Sequence, residues 1–447
     1  MRYLRHLLRT KGLSKLPRRS GQLLQRFGLF TPDKIGACLR DFVALTAEFG
    51  CTPTLCVTAV LLERYPAVFK ELADRAELAI HGYTHVDLRN LSPQELAEQF
   101  TRARAAFERC GLPVDGFRAP YLSWNGEAGD LLQAHHLTCS SNKVFDWEVL
   151  SRHELTPSQA EDINRLYRFY DIWTARRNPS LPYCNQQSVE VPISIPDDEL
   201  LIDRLGLGEE QVFSVWREAF QKSYARGELF SLLCHPERVP HYRAALRRLL
   251  AEVRRASPGV WVAPLRDIAA WWRHRASFAF QISPSANGVC RVAAACSPEA
   301  RVLVHEGGLA QRLAPWEGKS VLNGPGTFEL RTGGKKPLIG LAPDVNPALK
   351  AILHQEGFRC EVSRDASQFA LYCDASVPPK HDVLWERIQA ASSPLLRFWR
   401  WPGEARSALA VTQDVDALVL VDFVYRAYEF GSAPEGRHEH QSCRPPS

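Results

Sequence analysis

The chain has 447 residues, with 55 Lys and Arg against 50 Asp and Glu and a hydrophobic content of 45%. This length predicts two or three domains, and the near-average composition excludes a collagen-like repeat, a coiled coil and a wholly disordered chain. No apolar run approaches the roughly 20 residues that a membrane-spanning helix needs. The net charge of +5 does not by itself indicate nucleic-acid binding, and we expect no nucleic-acid partner.

The positive charge is concentrated at the start of the chain. Residues 1–30 hold eight basic side chains and no acidic one, with leucines interspersed. The basic residues are Arg2, Arg5, Arg9, Lys11, Lys15, Arg18, Arg19 and Arg26. Two interpretations stay open: a basic amphipathic helix in peripheral contact with an anionic membrane surface, or a solvated, poorly ordered terminus.

The same segment lacks the uninterrupted apolar stretch of a secretory signal. The chain has 12 cysteines but no CxxC pair, so a disulfide scaffold is not expected. Together these features favour a reducing compartment, and we expect a cytoplasmic, membrane-associated or freely diffusing protein.

Residues 31–275 alternate short apolar runs with amphipathic segments, which predicts an α/β domain with a parallel sheet, open or closed into a barrel. Ser92 and Glu95 form a capping-box pattern that opens a helix ending at Cys110. Further helices are predicted over 209–226 and 240–255. The predicted strands are 53–58, 77–80, 116–118, 189–193, 229–234 and 260–262.

After Trp272 the pattern changes. Short β-type runs over 278–337, separated by Gly, Pro and Ser, predict a small β-rich, sandwich-like accessory domain. Residues 338–404 return to a small mixed α/β region. Residues 405–430 contain an apolar strand that ends in two carboxylates, and 431–447 are predicted to be a disordered tail.

Two pairs of side chains at predicted strand ends could bind a metal ion. His81 and His85 are four residues apart and could share one ion if the segment is helical, although such pairs are commonly structural. Asp414 and Asp416 would project from the same face of a strand, because side chains alternate along it. One carboxylate could complete a metal site and the other could act as a general base; a solvated pair or a helix N-cap is the alternative.

Two further strand ends carry side chains suited to catalysis. Arg118 keeps its charge and could orient a carboxylate, while the backbone amide of Tyr121 could face a developing oxyanion. A structural salt bridge in a turn explains Arg118 equally well. His235 follows an apolar strand and could act as a general acid, although a buried histidine with a satisfied hydrogen bond is the simpler explanation.

Taken together, the motifs resemble one family. HGYTH, FRAPY and the strand-ending LLCH, in that order, resemble the second, third and fifth motifs of the polysaccharide deacetylases, the NodB-homology group of carbohydrate esterases. The resemblance covers roughly residues 40–275 and 405–425. It implies a distorted (β/α)7 barrel.

The first motif of that family, an aspartate-bearing strand, does not precede HGYTH here. It occurs instead as TQDVDA, which contains Asp414 and Asp416. We interpret this as a circular permutation in which the first barrel strand comes from the C-terminal end and residues 278–400 are interposed. Without that strand, the site would lack a base and one metal ligand.

The resemblance assigns a role to each site residue. His81, His85 and Asp416 would bind a divalent metal ion, and Zn²⁺ is the expected ion. Asp414 would be the general base, oriented by Arg118.

By the same resemblance, the Tyr121 amide would stabilise the oxyanion that forms when the amide carbonyl is attacked, and His235 would protonate the departing amine. The family's fourth motif, an Asp-Trp pair, is best matched by Asp146 and Trp147. A second acidic candidate is the pair at residues 197–198.

The resemblance implies a hydrolase that removes an N-acetyl group from an amino sugar in a carbohydrate or glycolipid substrate. Two alternatives stay open. The same barrel could hydrolyse cyclic amides or ureido compounds, because a fold does not fix a reaction. The chain could also be a non-catalytic carbohydrate-binding relative.

Overall fold

A computed structural model describes residues 16–123, 128–150, 155–185, 188–284, 286–305 and 321–432. Predictions for residues 1–15 and for the tail from 433 onward lie outside the described residues. The α-helices are Leu16–Arg26, Asp33–Ala47, Val60–Arg64, Pro66–Leu72, Pro93–Cys110, Ala128–Ala134, Pro157–Phe169, Glu209–Arg226, Val239–Arg255, Leu265–Ala276, Pro347–Glu356, His381–Gln389 and Leu420–Ser432. Among the described helices, none has the length and apolar character needed to cross a membrane.

One large curled sheet organises the molecule. In the described residues it has twelve strands, and neighbouring strands are parallel except for the hairpin at one edge. From edge to edge the order is Ile172–Thr174, Val144–Asp146, Ile193–Ile195, Leu229–Cys234, Ser407–Val415, Thr54–Val57, Glu77–Ile80, Gly116–Phe117, Cys139–Ser140, Ser188–Glu190 and Tyr183–Asn185, with Val260–Val262 paired to Ser407–Val415. The mixed α/β fold is confirmed, whereas closure into seven repeats stays a prediction.

The centre of this sheet is a strand from the far end of the chain. Ser407–Val415 pairs in parallel with Thr54–Val57 on one side and with Leu229–Cys234 on the other. All nine of its residues are buried. Its apolar and β-branched residues suit a strand that is covered on both faces, as strands of parallel sheets are.

The helix Pro93–Cys110 begins and ends where its capping pattern predicts. Pro93–Cys110 begins at Ser92, whose side chain accepts a hydrogen bond from the Glu95 amide while the Glu95 carboxylate accepts one from the Ser92 amide. The helix ends at Gly111, which has a φ of 69° that glycine adopts without a steric cost. Its buried residues recur at helical spacing and are Leu96, Phe100, Ala103, Ala106 and Phe107.

Three smaller sheets follow the large one. Two are antiparallel, with strands in the spatial orders Ala279–Pro284, Val289–Ala295, Gly326–Arg331 and Val321–Asn323, Arg301–His305, Leu395–Phe398. The third is parallel, in the order Cys360–Val362, Lys336–Leu341, Phe369–Cys373. Because Leu395–Phe398 pairs with Arg301–His305, the region after residue 338 shares a sheet with the region before it.

A buried ion cluster ties these smaller sheets to the rest. The Glu356 carboxylate accepts hydrogen bonds from Arg397 at 3.0 Å and Arg400 at 2.7 Å, and lies 2.8 Å from the His381 ring. Arg400 also donates to the backbone oxygen of Gly227 in the large sheet's helical layer. These contacts neutralise a carboxylate that would otherwise be costly to bury.

Candidate active site

The site lies where the central strands of the large sheet end. His81 follows Glu77–Ile80, His235 follows Leu229–Cys234, and the two aspartates stand at the end of Ser407–Val415. Because these strands run parallel and lie close together in the sheet, their carboxyl ends open into one cleft. The cleft, with its open mouth, has a volume of about 1120 Å³.

The HGYTH segment is not helical, so its two histidines do not meet by the helical spacing that the sequence analysis considered. Residues 81–85 form a turn instead, in which Gly82 has a φ of 73°. A side chain at Gly82 would place its Cβ 2.9 Å from the backbone oxygen of Thr84. The tight turn brings the two rings together, with centroids 5.1 Å apart, and needs glycine to do so.

Both histidines face the carboxylate of Asp416. His81 Nε2 lies 3.4 Å from Asp416 Oδ1, and His85 Nε2 lies 3.2 Å from Asp416 Oδ2. Neighbouring ligands of a tetrahedral zinc ion, each about 2.0–2.1 Å from the metal, are separated by roughly 3.3 Å. The spacing of the three side chains therefore fits one small divalent ion.

The protonation of these side chains fits a metal site as well. Burial and the nearby Arg426 charge lower the pKa of His85 to about 3, so the ring is neutral at neutral pH. Burial opposes ionisation of Asp416, but its contacts with His85 and His81 and the Arg426 charge outweigh burial and hold its pKa well below the usual range. Metal binding requires neutral imidazoles and an ionised carboxylate.

Among the described residues, the hydrogen bonds around His81 and Asp416 leave atoms of both side chains available to a ligand. His81 Nδ1 is 2.9 Å from the backbone oxygen of Arg118, which fixes that nitrogen as the donor and turns the Nε2 lone pair towards Asp416. Asp416 Oδ1 is buried and accepts no hydrogen bond from the described residues. A buried carboxylate oxygen without a donor is costly unless a cation occupies the site.

Arg118 holds the second aspartate. Its guanidinium is fully buried and donates to Asp414 Oδ1 at 2.7 Å and to the Thr412 hydroxyl at 2.9 Å. Its remaining donors reach the backbone and hydroxyl oxygens of Ser141. Asp414 Oδ2 is 3.7 Å from His81 Nε2, so the oriented carboxylate stands beside the candidate metal ligands.

His235 forms a close pair with Asp198. Its Nδ1 is 2.7 Å from Asp198 Oδ1, and its backbone amide donates to Asp198 Oδ2. Burial lowers the pKa of His235, but the charge and hydrogen bond of Asp198 outweigh burial and raise it to about 10. Asp197, Asp198 and His235 form a second group with ligand-type atoms, yet a protonated imidazole does not suit a metal ion.

Tyr121 lies beside the histidines. Its ring meets the His85 ring edge-on, with centroids 4.5 Å apart. Its φ is 58°, a left-handed conformation that non-glycine residues adopt at some cost and that is concentrated at functional sites. The oxyanion role of its amide stays a prediction.

The two candidates for the fourth motif occupy different places. Asp198 pairs with His235, whereas Asp146 accepts hydrogen bonds from the Glu148 amide and the Tyr167 hydroxyl. Trp147 donates to the Ser194 hydroxyl at 3.0 Å. The sequence favoured Asp146 and Trp147 on residue type alone, but Asp198 is the acid that contacts a predicted site residue.

Two further arginines lie at the cleft, where the sequence analysis had not placed them. Arg426 donates to the backbone oxygen of Asp416 at 2.7 Å and comes from the helix Leu420–Ser432. Arg26, at the end of the helix Leu16–Arg26, forms an ion pair of 2.8 Å with Asp203 in the cleft wall. The basic N-terminal segment therefore contributes a helix to the wall of the site.

Comparison with known proteins bears on residues 33–140, which match the family described as polysaccharide deacetylase. No curated protein matches the chain. Among solved structures, one described as a polysaccharide deacetylase from Mycobacterium smegmatis is 22% identical, with a TM-score of 0.38 over 53% of this chain and 77% of that one. A second, from Pseudomonas aeruginosa PAO1 with the same description, is 18% identical, with a TM-score of 0.40 over 53% and 74%. The Puue allantoinase is 16% identical, with a TM-score of 0.40 over 53% and 73%.

Proposed function

We propose, from the match of residues 33–140 to the polysaccharide deacetylase family and from the geometry of the cleft, that the chain is a metal-dependent hydrolase that removes an N-acetyl group from an amino sugar. The observation that carries the proposal is the cluster of His81, His85 and Asp416 beside Asp414. The cluster joins residues from opposite ends of the chain, and its spacing and protonation suit a divalent ion. We propose Zn²⁺ as that ion.

Each side chain of the cleft has a distinct part in this reaction. A bound divalent ion supplies Lewis acidity to the attacked carbonyl and acidifies water. Asp414, held in place by Arg118, accepts the proton of the attacking water. His235, kept protonated by Asp198, donates a proton to the departing amine, and the backbone amide of Tyr121 hydrogen-bonds to the carbonyl oxygen as charge develops on it.

Metal content tests this proposal directly. We expect about one zinc ion per chain after zinc addition and removal of the excess, as one three-residue site would bind. His81→Ala and Asp416→Ala should both lose the ion, because each removes one of three protein ligands. His274→Ala and Asp374→Ala, which change an exposed histidine and an exposed aspartate elsewhere, should keep it.

Elemental analysis of the five proteins decides the matter. A wild-type chain that retains no metal would contradict the metal-dependent mechanism. If the metal is present, release of acetate from N-acetylated chito-oligosaccharides is expected, and turnover of cyclic imides alone would favour the cyclic-amide alternative over deacetylation.

A further inference from the structure

Exposed apolar side chains are concentrated in two short segments. Leu24, Leu29 and Phe30 are 63%, 54% and 71% exposed, and Val424 and Tyr425 are 65% and 47% exposed. Of the large apolar residues that are exposed in the described part of the chain, only Val362 lies elsewhere. Side chains of this kind scattered singly are ordinary, but a concentration marks an interaction surface.

The two segments are neighbours in space. The Leu420 amide donates to the Gly28 oxygen at 2.8 Å, and Gly28 and Val419 form a β-bridge. The Phe27 and Phe423 rings pack edge-on, with centroids 5.0 Å apart. The exposed side chains therefore belong to one joined edge of the molecule, although 394 residues separate Leu29 and Phe423 along the chain (423 − 29).

This joined edge is also the rim of the cleft. Leu23 and Phe27 from the first segment and Phe423 and Arg426 from the second line the cleft together with the candidate metal ligands. Phe30 and Val424 are therefore within a few residues of side chains that face the reaction site. Whatever covers the exposed side chains would stand at the mouth of that site.

The charge of the N-terminal segment indicates which kind of partner covers the exposed apolar side chains. Residues 1–30 carry eight basic side chains and no acidic one. The acidic residues near the rim are largely paired: Asp203 with Arg26, and Asp422 with Arg64. Arg64 also stacks on the Tyr425 ring at 4.5 Å. Exposed apolar side chains that follow directly in the sequence on a segment of unbalanced basic charge suit the boundary between anionic headgroups and acyl chains.

We propose that residues 24–30 and 424–425, here called the docking rim, bind an anionic lipid bilayer. Docking turns the mouth of the cleft towards the headgroups. The site then takes an amide on a lipid-anchored amphiphile, in which the acylated headgroup reaches the cleft and the lipid chains stay in the bilayer. The identity of the reaction rests on the proposed function, whereas the docking does not.

Sedimentation of the full chain with vesicles tests the docking. Wild type should bind vesicles made of equal parts phosphatidylglycerol and phosphatidylcholine, bind phosphatidylcholine vesicles far less, and lose binding as salt rises. The double variant Leu29→Asp with Phe30→Asp should bind about tenfold more weakly, because two apolar contacts are replaced by repelled charges. The control Val362→Asp changes an equally exposed apolar side chain outside the rim and should bind as wild type does.

Three results would overturn the docking: no binding by wild type, equal binding by the rim variant, or equal loss in the Val362→Asp control. A wild-type dimer that the rim variant converts to monomers, without vesicle binding, would assign the surface to a second copy of the chain and also overturn it. Size-exclusion chromatography with light scattering measures this.

Hydrolysis separates the docking from the proposed function. The rim variant should release acetate from soluble N-acetylated chito-oligosaccharides as fast as wild type, and several-fold more slowly from an N-acetylglucosaminyl lipid held in the vesicles. An equal effect on both substrates would contradict a lipid-anchored substrate. Vesicle binding without any hydrolysis would contradict the proposed function alone, and hydrolysis without vesicle binding would contradict the docking alone.

Discussion

One hydrogen-bonded pair in the cleft, His235 and Asp198, joins an imidazole to a buried carboxylate. The Asp198 carboxylate stabilises the positive charge of the His235 imidazole and raises its pKa to about 10, so the ring is protonated when the pH is below that value. A histidine in an unfolded chain has a pKa of about 6.5. The pair therefore contributes its full stabilisation when the pH is below about 6.5, the pKa of the unfolded chain. This contribution is lost as the pH rises through the pKa of about 10 that His235 has in the folded protein.

We predict that Asp198→Asn shifts the alkaline limb of the pH profile of kcat/KM to lower pH. The general acid must be protonated to act, so activity falls as the pH rises through the pKa of His235. Removing the Asp198 charge lowers that pKa. Steady-state rates of wild type and variant across neutral and alkaline pH measure the shift.

Asp146→Asn is the matched control, because Asp146 also stands at a strand end but bonds to Glu148 and Tyr167 rather than to His235. Its alkaline limb should stay where it is in wild type. A shift in the Asp146 variant and none in the Asp198 variant would reverse the assignment of the fourth motif.

At this scale, the motifs predicted His81, His85 and Asp416 as one cluster, but they did not predict the contacts of Asp198 and Arg426. HGYTH and TQDVDA each carry a recognisable spacing, and the structure brings His81, His85 and Asp416 together. Nothing in the sequence around Asp198 distinguishes it from Asp146, because the choice depends on which loop folds towards His235. Arg426 was missed for the same reason: its contact with Asp416 depends on how a helix packs after the strand ends.

At the scale of elements, the strand Ser407–Val415 holds the sheet together. It contains Asp414 and is followed directly by Asp416, and its removal would separate Thr54–Val57 from Leu229–Cys234, which both pair with it. Leu409, within it, is completely buried. A cavity at this position would be surrounded by strands that cannot easily move inward.

We predict that Leu409→Ala lowers the free energy of unfolding by about 2–5 kcal/mol, the usual cost of removing a fully buried leucine side chain. Leu24→Ala, which truncates a leucine that is 63% exposed, should change it by less than about 0.5 kcal/mol. Urea denaturation followed by circular dichroism measures both. If the two variants have the same free energy of unfolding, the interpretation that this strand stabilises the centre of the sheet is contradicted.

Strand prediction succeeded where apolar runs are long enough to show a pattern. Glu77–Ile80, Leu229–Cys234 and Val260–Val262 have the predicted bounds. Cys139–Ser140 was missed, because a two-residue strand has no periodicity and exists only through its neighbours Gly116–Phe117 and Ser188–Glu190. Sheet order was likewise beyond the sequence pattern, since it is fixed by how helices and loops pack.

At the scale of the whole molecule, the order of the chain and the order of the sheet disagree. The strand Ser407–Val415 neighbours Thr54–Val57 in space, and the segment that follows it reaches Gly28 through the Leu420 amide. Segments near the two ends of the described chain are therefore in contact at Gly28 and Leu420. The circular permutation expected from the sequence stays a prediction, and it has a direct consequence for chains of altered order.

We predict that a rearranged chain, with residues 405–432 followed by a flexible linker and then residues 16–404, folds and binds metal. The new break falls after Glu404, an exposed residue in a turn. A Gly/Ser linker of about 12 residues has a root-mean-square span of roughly 20 Å, and chain breaks in exposed turns are commonly tolerated. Because all the strand pairings can form in either order, the thermal midpoint should lie within a few degrees of that of the natural order.

The matched control is residues 16–432 in their natural order, which contains the same residues without the linker. Zinc content and thermal melting of the two proteins give the comparison. If the control folds and binds zinc while the rearranged chain does neither, the strand at the C-terminal end depends on its present connection through residues 278–404, and a simple permutation of a deacetylase barrel is wrong. If both bind zinc equally, the interposed region is dispensable for the order of the barrel strands, and its role lies in what it adds around the sheet rather than in placing Asp414 and Asp416.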